Sequence, residues 1–195
     1  MEHHSERRLE SRSTLVEDRS HPNHWLNRAA DLKASAGALW HAMGSQDAAI
    51  AQELGYGVGY SMKVACWPVY HMLCGLSLEL VMKAVLVQRE TPQKKVEIHF
   101  LNELHRLLAL DLDDERKQIL DFYEASVVWA GRYPTPRNVT DEKLLSHYDL
   151  ESKVLTKPML IDTPGTLSFM VSSETTDWGQ FSKLWLEYAN LFSHA

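Results

Sequence analysis

The feature that most limits the fold is an apolar segment centred near residue 80, in which leucine and valine recur at helical spacing. The stripe contains Val69, Leu73, Leu76, Leu80, Ala84 and Val87. Spacings of three and four residues are typical of one face of a helix. Leu78, Val81 and Val85 widen that face, so the sequence predicts a helix that is buried on most of its circumference. Such a helix belongs at the centre of a bundle.

Two prolines set the predicted limits of this central helix. Pro68 is favoured as its first residue, and Thr91-Pro92 predicts its end. Cys66 would then precede the helix and could not share the stripe of Cys74. Because two cysteines in a chain of 195 residues do not make a disulfide framework, we expect both to be buried, reduced thiols.

The remaining sequence predicts further helices around the central one. Apolar periodicity indicates helices over residues 25–43, 46–54, 96–110, 112–130, 140–148 and 178–192. Residues 151–175 break this pattern, and the alternation of Leu167, Phe169 and Val171 predicts a small β-hairpin with a turn at 162–165. The predicted fold is an all-α bundle of four or five main helices with a small β-hairpin or irregular insertion near 151–175.

Aromatic residues form a second apolar surface in the last predicted helix. This aromatic seam consists of Trp178, Phe181, Trp185, Tyr188 and Phe192. It either packs on the bundle or forms a dimer surface, and Asp177 with Gln180 resembles a capping box at the start of its helix. Together with the central stripe it exceeds the apolar surface that a small bundle needs, so we expect a homodimer.

Length and charge limit the organisation and the class of protein. We expect a flexible or partly helical arm at residues 1–22 and a single helical domain at 23–195. A net charge of -6 opposes a large non-specific nucleic-acid surface, although a local basic site around Arg132 and Arg137 remains open. No apolar stretch reaches the length of about 18 residues for a membrane span, and the polar start lacks a signal peptide. A cytoplasmic protein without a membrane partner is expected.

The sequence contains no phosphate-binding loop, zinc-protease pattern or nucleophile elbow, and no set of metal ligands at a convincing spacing. No cofactor or metal is therefore predicted. The candidate ligand-binding residues are Glu79, Lys83, His99, Arg132 and Tyr133. Glu79 and Lys83 have the favourable spacing of a surface ion pair, which is the simpler interpretation of this pair.

An arginine and a tyrosine next to a proline that ends a helix are placed for binding. The planar fork of arginine suits phosphate, and a histidine such as His99 or His105 can exchange a proton near neutral pH. The alternative is a structural cluster, in which Arg132 caps helix carbonyls, a histidine is bonded to a loop and Tyr133 is half-buried.

Three segments, in order, resemble the HEPN superfamily. They are Leu78-Glu79-Leu80-x-x-Lys83-Ala84, then His99-x-Leu101-x-x-Leu104, then Trp129-Ala130-Gly131-Arg132-Tyr133-Pro134. The similarity covers about residues 65–137 and is greatest to the branch whose last core helix ends in Arg-Tyr-Pro. His105 also fits the histidine position, but His99 lies nearer the preceding loop, where the family places it.

The resemblance implies an all-α bundle that commonly dimerises, with a cleft at the dimer interface. Many members are metal-independent ribonucleases of toxin–antitoxin or phage-defence systems, and others bind nucleotides or partners without catalysis. Arg132 corresponds to the arginine of the nuclease members. Their histidine would fall at Arg137, Asn138 or Val139 here, so this chain lacks it.

Three functions follow as hypotheses. The first is a non-catalytic or degenerate HEPN-like module that binds RNA, nucleotide or a protein partner. The second is a metal-independent ribonuclease that uses Arg132 with a histidine from another helix, either His99 or His105. The third is a structural interaction protein that uses the aromatic seam. The missing histidine favours the first over the second.

Overall fold

A computed structural model of the chain describes residues 14–161 and 167–193. Most of this part is helical, with one π-helical segment and one hairpin, which confirms the predicted all-α bundle with a small hairpin. The helices are α1 (Leu15–Arg19), α2 (Pro22–Ala42), α3 (Asp47–Glu53), α4 (Met62–Gln88), α5 (Gln93–Val96), α6 (Leu101–Leu107), α7 (Asp114–Ala125), the π segment (Ser126–Ala130), α8 (Asp141–Leu155) and α9 (Trp178–Ala189), and the strands are β1 (Thr156–Ile161) and β2 (Leu167–Ser172).

Helix α4 is the predicted central helix, and it contacts α2, α6, α7, the π segment and α9. The prediction that Pro68 opens it is wrong, because Ser61 caps the helix two turns earlier by accepting a hydrogen bond from the Val64 amide at 3.4 Å. Pro68 lies inside the helix and removes the donor for the Val64 carbonyl. Val64 is 75% exposed, so solvent can replace that hydrogen bond.

The two cysteines both lie within α4. Cys66 and Cys74 are buried and unbridged, which confirms the prediction of buried, reduced thiols. The expectation that Cys66 precedes the helix is wrong, since the helix already begins at Met62.

Helix α4 is also long and apolar enough to cross a membrane by length and composition, which contradicts the expectation that no such stretch exists. In this helix, 72% of the most apolar window is buried inside the bundle. The apolar length of α4 is thus used to contact the surrounding helices.

The predicted helix at 96–110 is wrong, because two short helices, α5 and α6, replace it. The chain turns at residues 97–100, and the Leu101 amide donates to Glu124 Oε2 of α7 at 2.8 Å. A tertiary contact therefore supplies the acceptor at the start of α6. His99 lies in this turn, ahead of the helix that it was expected to begin.

Helix α7 starts where predicted, with Asp113 Oδ1 accepting from the Arg116 amide at 2.7 Å. It then widens into the π segment, which the sequence did not reveal. Two glycines allow this stretch to approach α4 closely: a Cβ at Gly131 would lie 2.4 Å from the Met72 Cβ, and one at Gly75 would lie 2.7 Å from the carbonyl oxygen of Tyr123.

Helix α8 begins at the predicted cap, Thr140, and continues to Leu155. The prediction that it ends at Tyr148 is wrong, and residues 151–155 of the expected insertion are helical. The hairpin follows as predicted, with β1 and β2 antiparallel and Met159 opposite Phe169. The predicted turn at 162–165 lies outside the described residues.

The aromatic seam packs on the bundle, so the first of its two interpretations is confirmed. Phe181, Trp185, Tyr188 and Phe192 are all buried. Asp177 precedes α9, but its side chain makes no capping hydrogen bond, so that detail of the prediction is wrong.

Part of the predicted N-terminal arm is helical. Thr14 and Glu17 form a capping box at the start of α1, and α2 begins at Pro22, the last residue of the predicted arm. Residues 1–13 lie outside the part of the chain that the structure describes.

Candidate functional site

Three of the five candidate residues form one cluster, which we call the Glu79 cluster: Glu79, Lys83 and His99. Lys83 Nζ lies 2.8 Å from Glu79 Oε1, and both side chains are 5% exposed. The interpretation of this pair as a surface ion pair is therefore wrong. Because α4 is packed on most sides, two charged residues four apart, which usually lie on the exposed face of a helix, are here inside the protein.

His99 joins the cluster from the turn before α6. Its Nδ1 lies 2.9 Å from Glu79 Oε1, while its side chain is 69% exposed. An ionised carboxylate can only accept hydrogen bonds, so Nδ1 carries the hydrogen and Nε2 is left for another partner. Glu79 Oε2 is buried and has no hydrogen-bond partner among the described residues.

A cavity of about 450 Å³ adjoins the cluster. It lies between the start of α2, the last turns of α4 and the segment from Thr91 to His99. Lys83 lines it together with apolar and polar side chains. The lining residues that matter for recognition are Trp25, Lys83, Val87, Val96, Glu97 and His99.

Carboxylates surround the other side of the cluster. Glu124 holds the start of α6 through the Leu101 amide. Burial raises the pKa of Glu124, and the nearby carboxylates of Asp121 and Glu79 raise it further. The hydrogen bond from the Leu101 amide opposes this rise, because it favours the charged carboxylate.

The other two candidates, Arg132 and Tyr133, lie at the end of the π segment. Arg132 Nη2 donates to the Val128 carbonyl at 2.5 Å, so the arginine does cap a helix carbonyl, as the structural alternative expected. Its guanidinium carbon lies 5.5 Å from the centre of the Tyr133 ring. Tyr133 is 58% exposed rather than half-buried. Both side chains thus face solvent next to each other.

A smaller cavity of about 180 Å³ lies against Tyr133. His147 of α8 lines it and packs against Trp129 with ring centres 4.5 Å apart. Burial lowers the pKa of His147, and the charge of Glu151, one turn along α8, opposes that shift. The sequence did not single out His147, because α8 was expected to end at Tyr148, one residue after it. The spacing of four residues between His147 and Glu151, on a helix that continues to Leu155, was the available signal.

The histidine expected as an alternative to His99 is structural. His105 Nε2 donates to the Asp111 carbonyl at 2.9 Å, so Nδ1 is the acceptor for the Tyr188 hydroxyl at 2.8 Å. Both ring nitrogens are therefore engaged. Burial also lowers the pKa of His105, which leaves it unsuited to proton exchange with a ligand.

The structure separates the five candidates into two groups. Within the described residues, no hydrogen bond or ion pair joins the Glu79 cluster to Arg132 or Tyr133. In the same part of the chain, no three His, Cys, Asp or Glu side chains are grouped so that they could hold a metal ion.

Comparison with known proteins found no matching family model, no similar curated protein and no similar solved structure. The function is therefore inferred from the residues of the two sites.

Proposed function

We propose that this chain is a non-catalytic, HEPN-like helical module that binds RNA or nucleotide at its Arg132–Tyr133 end, in a setting such as toxin–antitoxin or phage defence. The observation that carries the proposal is the exposed guanidinium beside an exposed phenol ring, at 5.5 Å, on the end of a packed helix. Arginine recognises phosphate through paired hydrogen bonds, and aromatic rings stack on bases.

The contacts that hold Arg132 and Tyr133 on the bundle support a role in binding. One guanidinium nitrogen is held by the Val128 carbonyl, and arginine has five N–H donors in a fixed fork, so several remain for a ligand. Gly131 is packed against Met72 and Pro68 of α4, which fixes the backbone that carries them. A preorganised arginine loses less entropy when it binds.

A binding assay with a labelled single-stranded oligoribonucleotide tests this proposal. Arg132→Ala should weaken binding about tenfold or more, since a charge-assisted contact contributes about 1.5–3 kcal/mol. Arg132→Lys should restore only part of the affinity, because lysine lacks the fork. The matched control is Arg28→Ala, an exposed arginine whose side chain is 70% accessible, which should bind normally.

The melting temperatures of these variants separate binding from folding. Arg132→Ala should melt within a few degrees of the parent, as surface charges contribute little. If Arg132→Ala unfolds while binding per folded molecule is unchanged, the arginine is a structural cap and the proposal is wrong.

A specific observation supports a second candidate, a metal-independent ribonuclease that takes its histidine from another helix. His147 of α8 and Tyr133 line the same cavity, which supports a histidine supplied by another helix near the Arg132–Tyr133 end. An imidazole at such a site can supply proton transfer for phosphodiester cleavage.

Cleavage of the same oligoribonucleotide in the presence of a chelator distinguishes the two functions. The ribonuclease hypothesis requires cleavage that disappears in His147→Ala and persists in His24→Ala, a change at an exposed histidine of α2. Binding without cleavage by the unmodified chain supports the non-catalytic module.

A further inference from the structure

We propose that the cavity beside the Glu79 cluster binds a small organic cation, an amidinium or guanidinium group carried on a flat apolar body. This site is separate from the Arg132–Tyr133 end and does not depend on the function proposed there. Its volume of about 450 Å³ lies within the range of about 300–1,000 Å³ that is usual for small-molecule pockets.

The charge around the cavity is negative. Among the described residues that line it, Lys83 is the only lysine or arginine, and its Nζ lies 2.8 Å from Glu79 Oε1, so these two buried side chains neutralise each other. Glu97 also lines the cavity and adds a second carboxylate, whereas Lys94 and Lys95 of α5 are exposed and do not line it. One negative charge is therefore left at the wall, and such a charge attracts a monovalent cation.

The polar groups that remain for a ligand include several acceptors. His99 Nδ1 carries its hydrogen toward Glu79 Oε1 at 2.9 Å, so Nε2 of the neutral ring is an acceptor. Glu97 Oε1 accepts from Gln93 Nε2 at 2.7 Å, which leaves its second oxygen without a donor among the described residues. In the adjoining cluster, Glu79 Oε2 is buried and also lacks a partner there. Acceptors of this kind recognise N–H donors, and an amidinium or guanidinium presents several of them in one plane.

The rest of the cavity fits a flat apolar body next to the cation. Trp25, Val87 and Val96 line it alongside the charged groups. The face of an indole ring attracts a cation, and planar guanidinium-type groups stack on aromatic rings and are more weakly hydrated than an ammonium. A ring that covers the two valines would bury apolar surface, which stabilises the complex. These walls therefore favour an arylamidinium over a simple alkylammonium.

Three probes of nearly the same shape test the charge of the ligand: benzamidine is a cation at neutral pH, benzamide is neutral and benzoate is an anion. Binding to the full chain is followed by NMR shifts of the backbone amides within residues 91–99. We expect saturable shifts, with benzamidine bound at least about fivefold more tightly than benzamide, as one charge-assisted hydrogen bond to an exposed carboxylate allows. Benzoate should bind more weakly than benzamide. Arg132→Ala should not change this order, which separates the outcome from that of the RNA-binding proposal.

Two exposed glutamates provide a variant and its matched control. Glu97→Gln keeps the size of the side chain and removes the charge at the cavity wall, so it should abolish the preference for benzamidine over benzamide. Glu53→Gln removes an equally exposed carboxylate at the end of α3 and should keep the full preference. Because both side chains are exposed, both variants should fold as the parent does.

A third variant tests the aromatic wall. Trp25→Leu keeps an apolar side chain and removes the ring, so it should weaken benzamidine binding at least about twofold more than benzamide binding, since a ring that attracts a cation contributes about 0.5–1 kcal/mol at an exposed site. The proposal is overturned if no saturable shifts occur, if benzamide or benzoate binds as tightly as benzamidine, or if Glu97→Gln keeps the full preference.

Discussion

At the scale of single residues, polar side chains inside the bundle are explained by their partners. Ser77 donates to the Ala29 carbonyl at 2.7 Å, and Tyr70 donates to the Thr176 carbonyl at 2.9 Å. His71 Nε2 lies 3.1 Å from Thr176 Oγ1. These contacts join segments between 48 and 106 residues apart, so no local pattern could have predicted them.

His71 should make the stability of the protein depend on pH. Burial lowers its pKa from 6.5 to about 3, so below pH 6.5 the unfolded chain binds a proton that the folded chain does not. The free energy of unfolding should therefore fall as the pH decreases from 6.5 to about 3. This group should contribute a loss of up to about 1.4 kcal/mol per pH unit.

Urea denaturation at pH 7 and pH 5 tests this prediction. His71→Gln removes the titrating group, and the loss of stability between the two pH values should shrink by about 2 kcal/mol. His24→Gln, at an exposed position of α2, is the control and should keep the pH dependence of the parent. An equal loss in His71→Gln and the parent would contradict the assignment.

At the scale of elements, periodicity predicted which segments are helical, and tertiary contacts decided where they begin and end. The stripe from Val69 to Val87 correctly indicated α4, but the Ser61 cap starts it earlier. The π segment had no signal in the sequence, since its shape depends on the approach of α4. Likewise, spacing paired Glu79 with Lys83, while only the packing of α4 shows that the pair is buried.

Gly75 should be essential to the contact between α4 and the π segment. A Cβ at this position would lie 2.6 Å from Val127 Cγ2 and 2.7 Å from the Tyr123 carbonyl oxygen. Because the second neighbour is backbone, the overlap cannot be relieved by a side-chain rotation. Gly75→Ala should therefore destabilise the protein by about 1–3 kcal/mol, seen as a fall of several degrees in melting temperature.

Gly179 offers the matched control in α9. Among the described residues, nothing outside the local backbone of α9 lies within 4 Å of a Cβ built there, and alanine is favoured over glycine in helices by up to about 1 kcal/mol. Gly179→Ala should leave the melting temperature unchanged or raise it. A Gly75→Ala variant that is as stable as Gly179→Ala would show that the two segments can move apart freely.

At the scale of the whole molecule, one apolar surface remains where two were expected. The aromatic seam is buried in the bundle, but α4 leaves Val64 75% and Val69 37% exposed. Leu73 and Leu76 continue this line and are partly exposed. Their spacing of four and three residues resembles the contact line of paired helices, so α4 is the surface on which we expect homodimerisation.

Light scattering at micromolar concentration tests this expectation, and the parent should show twice the mass of one chain. Val69→Lys should yield monomers, because it places a charge in the apolar line. Leu145→Lys changes a residue of α8 that is 61% exposed and should leave the dimer intact. A parent chain with the mass of a single copy would contradict the prediction.

The pairing of α4 with α9 has a consequence for how the chain folds during its synthesis. Gln88 bonds Ser193 twice, through its Nε2 to the carbonyl at 2.7 Å and from the Ser193 amide to its Oε1 at 2.8 Å. Phe181 and Tyr188 complete the core around α4, yet α9 is the last described helix to leave the ribosome. The part of the α4 surface that α9 covers therefore stays uncovered until about a hundred further residues have been made. In that interval it is accessible to chaperones and to other nascent chains.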